Sequence, residues 1–321
     1  MLDHRRLRIS VVIPLYNGET TILKTLKSLF NQNTQFDELI VVNDASTDRS
    51  LALVEAFLSE RPVSHKIINH SKSRGLSASY NDGIKICSGD LVVTLHGDVV
   101  LRKHALERLV GPFWNNDNVV ASYHCVDHPR NVWKKYNFWQ KCFFSRLVEK
   151  RFCGLDGKFD CFRKSALEKV GMFDGKTFFR AGEDGDIVHK LRKKGKIVKT
   201  KAGIIHIHTL DPNFSFKSIV YKQAQYSASQ GALFRRYGFA GVREFVSLFF
   251  RELLVISLLF PHIRTISIFL IIIYSFLYTK SVYLSDYKNP RILILPFLNI
   301  YLLFVSFVYS IRGFMYGKQT I

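Results

Sequence analysis

The sequence predicts an α/β domain built on a parallel sheet, followed by a helical, lipid-soluble tail. Residues 8–124 repeat a rhythm of short apolar run, turn and amphipathic stretch, which is the sequence form of strands alternating with helices. From about residue 245 onward Leu, Ile, Val, Phe and Tyr dominate, and most of the 46 Lys and Arg lie ahead of that tail.

Strands are expected at Ile9–Leu15, Glu38–Asn43, 65–69, Leu91–Leu95 and 119–123, with helices starting near Thr20, Asp48, Leu76 and Lys103. Leu23, Leu26, Leu29 and Phe30 recur at helical spacing, as do Leu51, Val54 and Phe57. After residue 125 the rhythm gives way to an aromatic-rich stretch, 133–152, and then to a second α/β portion with a helix expected over 184–194. Aromatics there are more often core than a ligand platform, although an acceptor pocket or a membrane-contacting helix would also sit in such a stretch.

In the tail, 263–284 and 292–311 each approach the ~20 apolar residues that cross a bilayer, so a transmembrane hairpin is expected over 263–321. The shorter run 245–260 carries Arg251 and Glu252 in its middle, which predicts an interfacial amphipathic helix over 241–262. Residues 1–240 then form the α/β domain.

A formal net charge of +20 suits an anionic membrane surface or phosphate-rich substrates. It also suits nucleic acid, but no basic recognition helix or aromatic RNA-binding pattern stands out, so no nucleic-acid partner is expected. The five cysteines show no CxxC or zinc-ribbon spacing and read as reduced thiols. The first apolar run is too short for the core of a signal peptide. The domain is therefore expected on the cytoplasmic face of a membrane, on a multi-pass anchor.

Ligands of open α/β sheets bind beyond the carboxyl ends of the strands, which makes Tyr16-Asn17-Gly18-Glu19, the residues 43–48 and His96-Gly97-Asp98 the first candidates. Asp44 suits hydrogen bonding to a base or ribose; as an isolated residue it equally suits capping the helix near Asp48. Val-Ile-Pro-Leu-Tyr-Asn at 12–17, Asn-Asp-Ala-Ser-Thr-Asp at 43–48, Arg74-Gly75-Leu76-Ser77, Gly89-Asp90, Gly182-Glu183-Asp184-Gly185-Asp186 and His206-Ile207-His208 occur in that order. The ordered set resembles family 2 glycosyltransferases, whose nucleotide-sugar-binding domain has the Rossmann-like GT-A fold. The resemblance covers residues 8 to about 210.

The resemblance implies that Pro14, Tyr16, Asn17, Glu19 and Asp44 line the nucleotide pocket, with Arg74 near the base or diphosphate. Asp98 matches the last acid of the family's DxD element, which holds a divalent ion, Mn²⁺ or Mg²⁺, against the donor diphosphate. The chain departs from the pattern at His96, which stands where the first acid is expected; a His is acceptable to Mn²⁺ or contacts the sugar or phosphate directly. His206 is expected near the metal. His208, on the same face of a strand, and Glu183 are expected in supporting or acceptor-facing roles. Asp184 is the expected general base of an inverting transfer, whereas Asp186 reads as a helix N-terminal acid favoured by the dipole.

The Gln-x-x-Arg-Trp signature of processive relatives is missing: 230–236 has Gln and Arg but no Trp. One sugar per encounter is expected, moved to a lipid-linked or surface-polysaccharide acceptor. A polyprenyl-phosphate sugar synthase is the enzymatic alternative, and an inactive membrane-tethered nucleotide-binding scaffold is the alternative of a different class.

Overall fold

A computed structural model of the chain describes residues 6–144, 147–179, 181–207, 211, 213–239 and 241–319. The chain forms two compact units: residues 1–132, 149–175 and 183–209 in the first, and 133–148, 176–182 and 210–321 in the second.

The first unit is built on one mixed sheet. Its strands are β1 (Ile9–Leu15), β2 (Glu38–Asn43), β3 (Ser64–Asn69), β4 (Leu91–Leu95), β5 (Val99–Leu101), β6 (Val119–Asp127), β7 (Arg151–Cys153), β8 (Phe159–Arg163) and β9 (Lys196–His206). They run in the order β3-β2-β1-β4-β8-β6-β9-β5, with β7 paired to β6. The β3–β2–β1–β4 half is parallel because helices Ile22–Phe30, Ser50–Ser59 and Leu76–Ile86 connect its strands. Both faces of β1 are covered, so its sequence is an unbroken apolar run. Ile9, Val11, Ile13 and Leu15 pack with Leu26, Leu29 and Val54 on one side. Val12 joins Ile40, Tyr80 and Ile84 on the other.

The sequence pattern contained no strand at 159–163. There β8 pairs antiparallel with β4 on one side and β6 on the other. A five-residue segment carrying Asp160 and Arg163 has no strand periodicity of its own; the two neighbouring ladders decide its state.

The expectation of five reduced cysteines does not hold: Cys125 and Cys153 form a disulfide. The antiparallel pairing of β6 with β7 sets these residues opposite one another, a proximity that a separation of 28 residues does not advertise. Cys87, Cys142 and Cys161 are free and buried.

The second unit is helical. Phe216–Tyr237, Val242–Ser257, Pro261–Leu277 and Leu295–Tyr316 are its long helices. Leu254, Val255, Ile271 and Leu303 make an apolar centre. A polar chain crosses it: Gln223 donates to Ser227 (3.0 Å), Ser227 meets Ser306 (3.0 Å), and Ser306 and Ser310 both donate to the buried Glu252 carboxylate (2.8 and 2.7 Å). Glu252 thus faces inward from a helix that kinks at Phe249, where a purely interfacial helix would turn it to water.

Among the described residues one segment, Pro290–Tyr316 of 27 residues, is long and apolar enough to cross a membrane. The expected span over 263–284 stops short. Its helix ends at Leu277 after 17 residues, about 25 Å at 1.5 Å per residue against a ~30 Å hydrocarbon core. The buried Asn299 side chain donates to the Ser275 carbonyl (2.6 Å) and the Thr279 hydroxyl (2.9 Å) at the break, satisfying the helix end inside the bundle. Large apolar side chains point outward along both helices, Phe269 and Phe297 being 62 % and 75 % exposed. A face of this kind marks a protein or membrane contact, and a multi-pass anchor does not follow from it.

Candidate active site

A cleft of about 310 Å³ opens at the carboxyl ends of β1 and β4, lined among others by Pro14, Tyr16, Asp44, Ser73, Gly75, His96 and Asp98. Tyr16 is 59 % exposed and offers its ring at the rim. Asn17 and Glu19 do not line the cleft; they lace two loops together. Asn17 sits at φ 47, a left-handed conformation that Asn tolerates, and accepts the Thr47 N–H at 2.8 Å. Glu19 accepts from the backbone and side chain of Arg49 at 3.2 and 3.4 Å.

Asp44 is buried and fully engaged. Its two oxygens accept from His70 Nδ1 (2.7 Å), Arg74 N–H (2.7 Å), the Ser73 hydroxyl (2.8 Å) and Gly75 N–H (2.9 Å). Burial pushes the carboxyl up, but these four bonds outweigh it and hold Asp44 below the usual carboxylate range. Gly75 is needed at φ 83 to bring its N–H onto Asp44 at the start of helix Leu76–Ile86. Asp44 does not cap helix Ser50–Ser59; Asp48, just ahead of it, accepts the Ser50 N–H at 2.9 Å. The Arg74 guanidinium turns to Asp82.

Asp44→Ala strands the donors of the 73–75 turn and is expected to lower stability by about 2–3 kcal/mol at pH 7. Because the folded carboxyl titrates below its unfolded value, Asp44 stabilises the fold above the ordinary carboxylate range and loses that contribution as pH falls through the folded value. Urea unfolding of wild type and variant at pH 7 and near pH 2 reads both; equal stability at pH 7 would contradict the assignment.

His96 and Asp98 follow β4. Asp98 Oδ2 lies 3.0 Å from His206 Nε2 at the end of β9, and His96 Nδ1 lies 3.9 Å from Asp98 Oδ1. Burial holds His96 down to about 4 despite the Asp98 charge, so its imidazole is neutral at pH 7. One carboxylate and two imidazoles form a donor set that fits a divalent ion, with Mn²⁺ favoured over Mg²⁺. His208 lies outside the described residues.

Helix Glu183–Arg192 opens with three acids. Burial, with the charge of Asp184 next, pushes Glu183 up to about 7. Burial also raises Asp184, against the Gly185 N–H that donates to it at 2.7 Å. Asp186 is buried and paired with Lys190 at 2.6 Å.

The sequence reading missed a second cluster. His124, Asp156 and Asp160 bring one ligand atom each within 4.8 Å of one another, a buried His/Asp/Asp arrangement able to hold a cation. His128 packs edge-on against His206 with ring centroids 5.6 Å apart. These residues fall in strands and turns between 124 and 160 whose sequence has no recurrent pattern.

The strand order and the cleft define the class. A mannosyltransferase from Pyrobaculum calidifontis, solved with GDP-Man and Mn²⁺, matches with a TM-score of 0.61 at 17 % identity, over 96 % of this chain and 88 % of the other. GalNAc-T7, solved with UDP, GalNAc and Mn²⁺, matches with a TM-score of 0.53 at 14 % identity, over 76 % and 54 %. At these identities the likeness shows a GT-A-like fold. Residues 10–171, half of the chain, match the profile of glycosyl transferase family 2, and the chain belongs to that family. The probable glycosyltransferase YdaM of Bacillus subtilis is 26 % identical over 201 residues, 59 % of this chain and 47 % of that protein. The uncharacterised glycosyltransferase EpsJ of the same organism is 25 % identical over 251 residues, 73 % and 71 %. The chain spans less than half the length of YdaM and 35 % of an uncharacterised glycosyltransferase from Haemophilus influenzae.

Proposed function

We propose that this chain is a membrane-anchored, inverting, non-processive glycosyltransferase that moves one sugar from a nucleotide-sugar donor to a lipid-linked or surface-polysaccharide acceptor. The observation that carries the reading is the cleft that gathers Pro14, Tyr16, Asp44, His96 and Asp98, with the raised carboxyl of Asp184 within electrostatic influence of neighbouring acids. Membership of the family and the GT-A-like fold support it.

In this reading residues 1–240 form the transferase domain. The donor base and ribose lie against Pro14 and Tyr16, on a floor organised by Asp44 with Asn17, Glu19 and Arg74 behind it. Asp98 and His206, with His96 beside them, hold the divalent ion, which when bound neutralises charge developing on the leaving diphosphate. Asp184 takes the proton of the acceptor hydroxyl as that oxygen attacks the anomeric carbon, and the bond to the diphosphate breaks on the opposite side. Glu183 and His208 serve Asp184 or the acceptor.

Pro290–Tyr316 crosses the membrane, with Pro261–Leu277 and the kinked helix Val242–Ser257 packed against it in the same unit and the catalytic domain on the cytoplasmic face. In a reducing cytoplasm the Cys125–Cys153 bond opens, so maleimide added after denaturation in cells should label five cysteines. Labelling of only three contradicts the orientation.

Calorimetric titration of the detergent-solubilised chain with UDP, GDP and dTDP, each with Mn²⁺ and with chelator, tests the donor site. One nucleotide is expected to bind at least about tenfold more tightly with Mn²⁺, an enhancement that Asp98→Asn removes. Failure of every nucleotide to bind would favour the inactive scaffold. Whether a bare polyprenyl phosphate takes up sugar separates the polyprenyl-phosphate synthase from extension of a lipid-linked glycan.

A further inference from the structure

The turn between β7 and β8 is fixed from three sides. The Asp160 carboxylate accepts the N–H groups of Asp156 (3.0 Å) and Gly157 (2.7 Å), while His124 Nδ1, fully buried on β6, lies 3.1 Å from its other oxygen. The Tyr80 hydroxyl donates to the Gly157 carbonyl at 2.8 Å. The Lys158 carbonyl accepts the His96 N–H at 2.9 Å. The turn is therefore tied to the strand end that carries His96 and Asp98.

The Lys158 side chain is 21 % exposed and its ammonium lies 2.7 Å from Asp156 Oδ2. An ammonium has three N–H donors, and this contact engages one. Asp98, Asp156 and Asp160 act electrostatically on Lys158; Glu183 and Asp184 feel its charge in turn, as do His96 and His128. Lys158 is thus a fixed cation among five carboxyls.

A nucleoside diphosphate entering the cleft would meet the Asp98 carboxylate that lines it, a like charge that repels it. The chain also has a histidine at 96 where the family pattern has an acid, so one fewer carboxylate is present to hold the divalent ion. A cation belonging to the protein offsets both.

We infer that Lys158 binds the donor: its ammonium contacts the diphosphate beside Asp98 and supplies permanent positive charge where the leaving group gains its negative charge. The buried His124–Asp160 pair positions it by holding the turn. This rests on the nucleotide-sugar reading above. Loss of a charge-assisted phosphate contact reduces affinity roughly ten- to a hundredfold.

The test is calorimetry on the full-length, detergent-solubilised chain. Wild type, Lys158→Met, Lys158→Gln and Lys158→Arg are titrated with UDP, GDP and dTDP and with the matching nucleosides, in Mn²⁺ and in chelator. Wild type should prefer the diphosphate over the nucleoside even in chelator. Both neutral variants should lose that preference with nucleoside binding unchanged, and the Arg variant should keep most of it. Gln retains a hydrogen bond to Asp156 without charge, so it reports even if the Met variant folds poorly. An unchanged diphosphate preference in folded Lys158→Gln overturns the inference and leaves the transferase reading standing. A wild type that binds no nucleotide overturns both.

Discussion

Asp184→Asn is expected to bind donor nucleotide as wild type does and to lose transfer by about 10² to 10⁴-fold, the range associated with removing a general base. The amide keeps the size of the carboxyl and still accepts the Gly185 N–H, so the fold should survive. What it cannot do is take a proton. The pH profile gives an independent check. Burial raises Asp184 above the usual carboxylate range, and a base works only when ionised, so transfer should rise as pH climbs through the raised value and fall away below it. Glu183, pushed up to about 7 by burial and the Asp184 charge, is neutral where Asp184 titrates, so Glu183→Gln should leave the acidic limb in place. Near-normal single-turnover transfer by Asp184→Asn would move the base elsewhere.

Gly313→Leu should destabilise the helical unit by about 3 kcal/mol or more, at the severe end of overpacking. A Cβ on Gly313 would meet the Ala228 carbonyl oxygen at 1.9 Å, and one on Gly231 would meet the Ser310 carbonyl oxygen at 2.0 Å. Both obstacles are backbone, so no side-chain rotation relieves them. Helices Phe216–Tyr237 and Leu295–Tyr316 touch through small residues from each, the arrangement that lets backbones approach closely in a lipid-like setting. Forcing them apart also breaks the Ser227–Ser306 contact and with it the polar chain that ends on Glu252. Thermal unfolding in detergent, with Gly241→Leu as a control where a Cβ has open space, measures the difference. Gly241 has φ 174, extended backbone that any residue adopts, so the control carries neither strain nor clash. Equal melting of Gly313→Leu and wild type would show that the two helices do not pack as described.

The parallel half of the sheet was legible because its cause is local. Ile9–Leu15, Glu38–Asn43 and Leu91–Leu95 are apolar runs bounded by turns and observed with those limits, and the intervening helices begin within two residues of their expected starts. The helix expected over 184–194 is found at Glu183–Arg192. Residues that follow a strand and line the cleft, Tyr16, Asp44, His96 and Asp98, were legible as candidates for the same reason: in such sheets the position alone nominates them.

What the sequence by itself determined, then, was the α/β rhythm, the strand ends that line the cleft, and the apolar character of the tail, each written in neighbouring residues. Tertiary structure alone decided the rest. Strand β8 exists because β4 and β6 hydrogen-bond to it. Cys125 meets Cys153 through an antiparallel register. Asp44 is saturated by a turn some 30 residues away, and His124, Asp156, Lys158 and Asp160 gather from two strands and a turn. The tail's first apolar run breaks at residue 277 because Asn299, 20 or more residues on, satisfies the exposed helix end. Hydrophobic periodicity records which face of an element is buried, while long-range hydrogen bonds and ion pairs depend on partners whose separation in sequence follows no period.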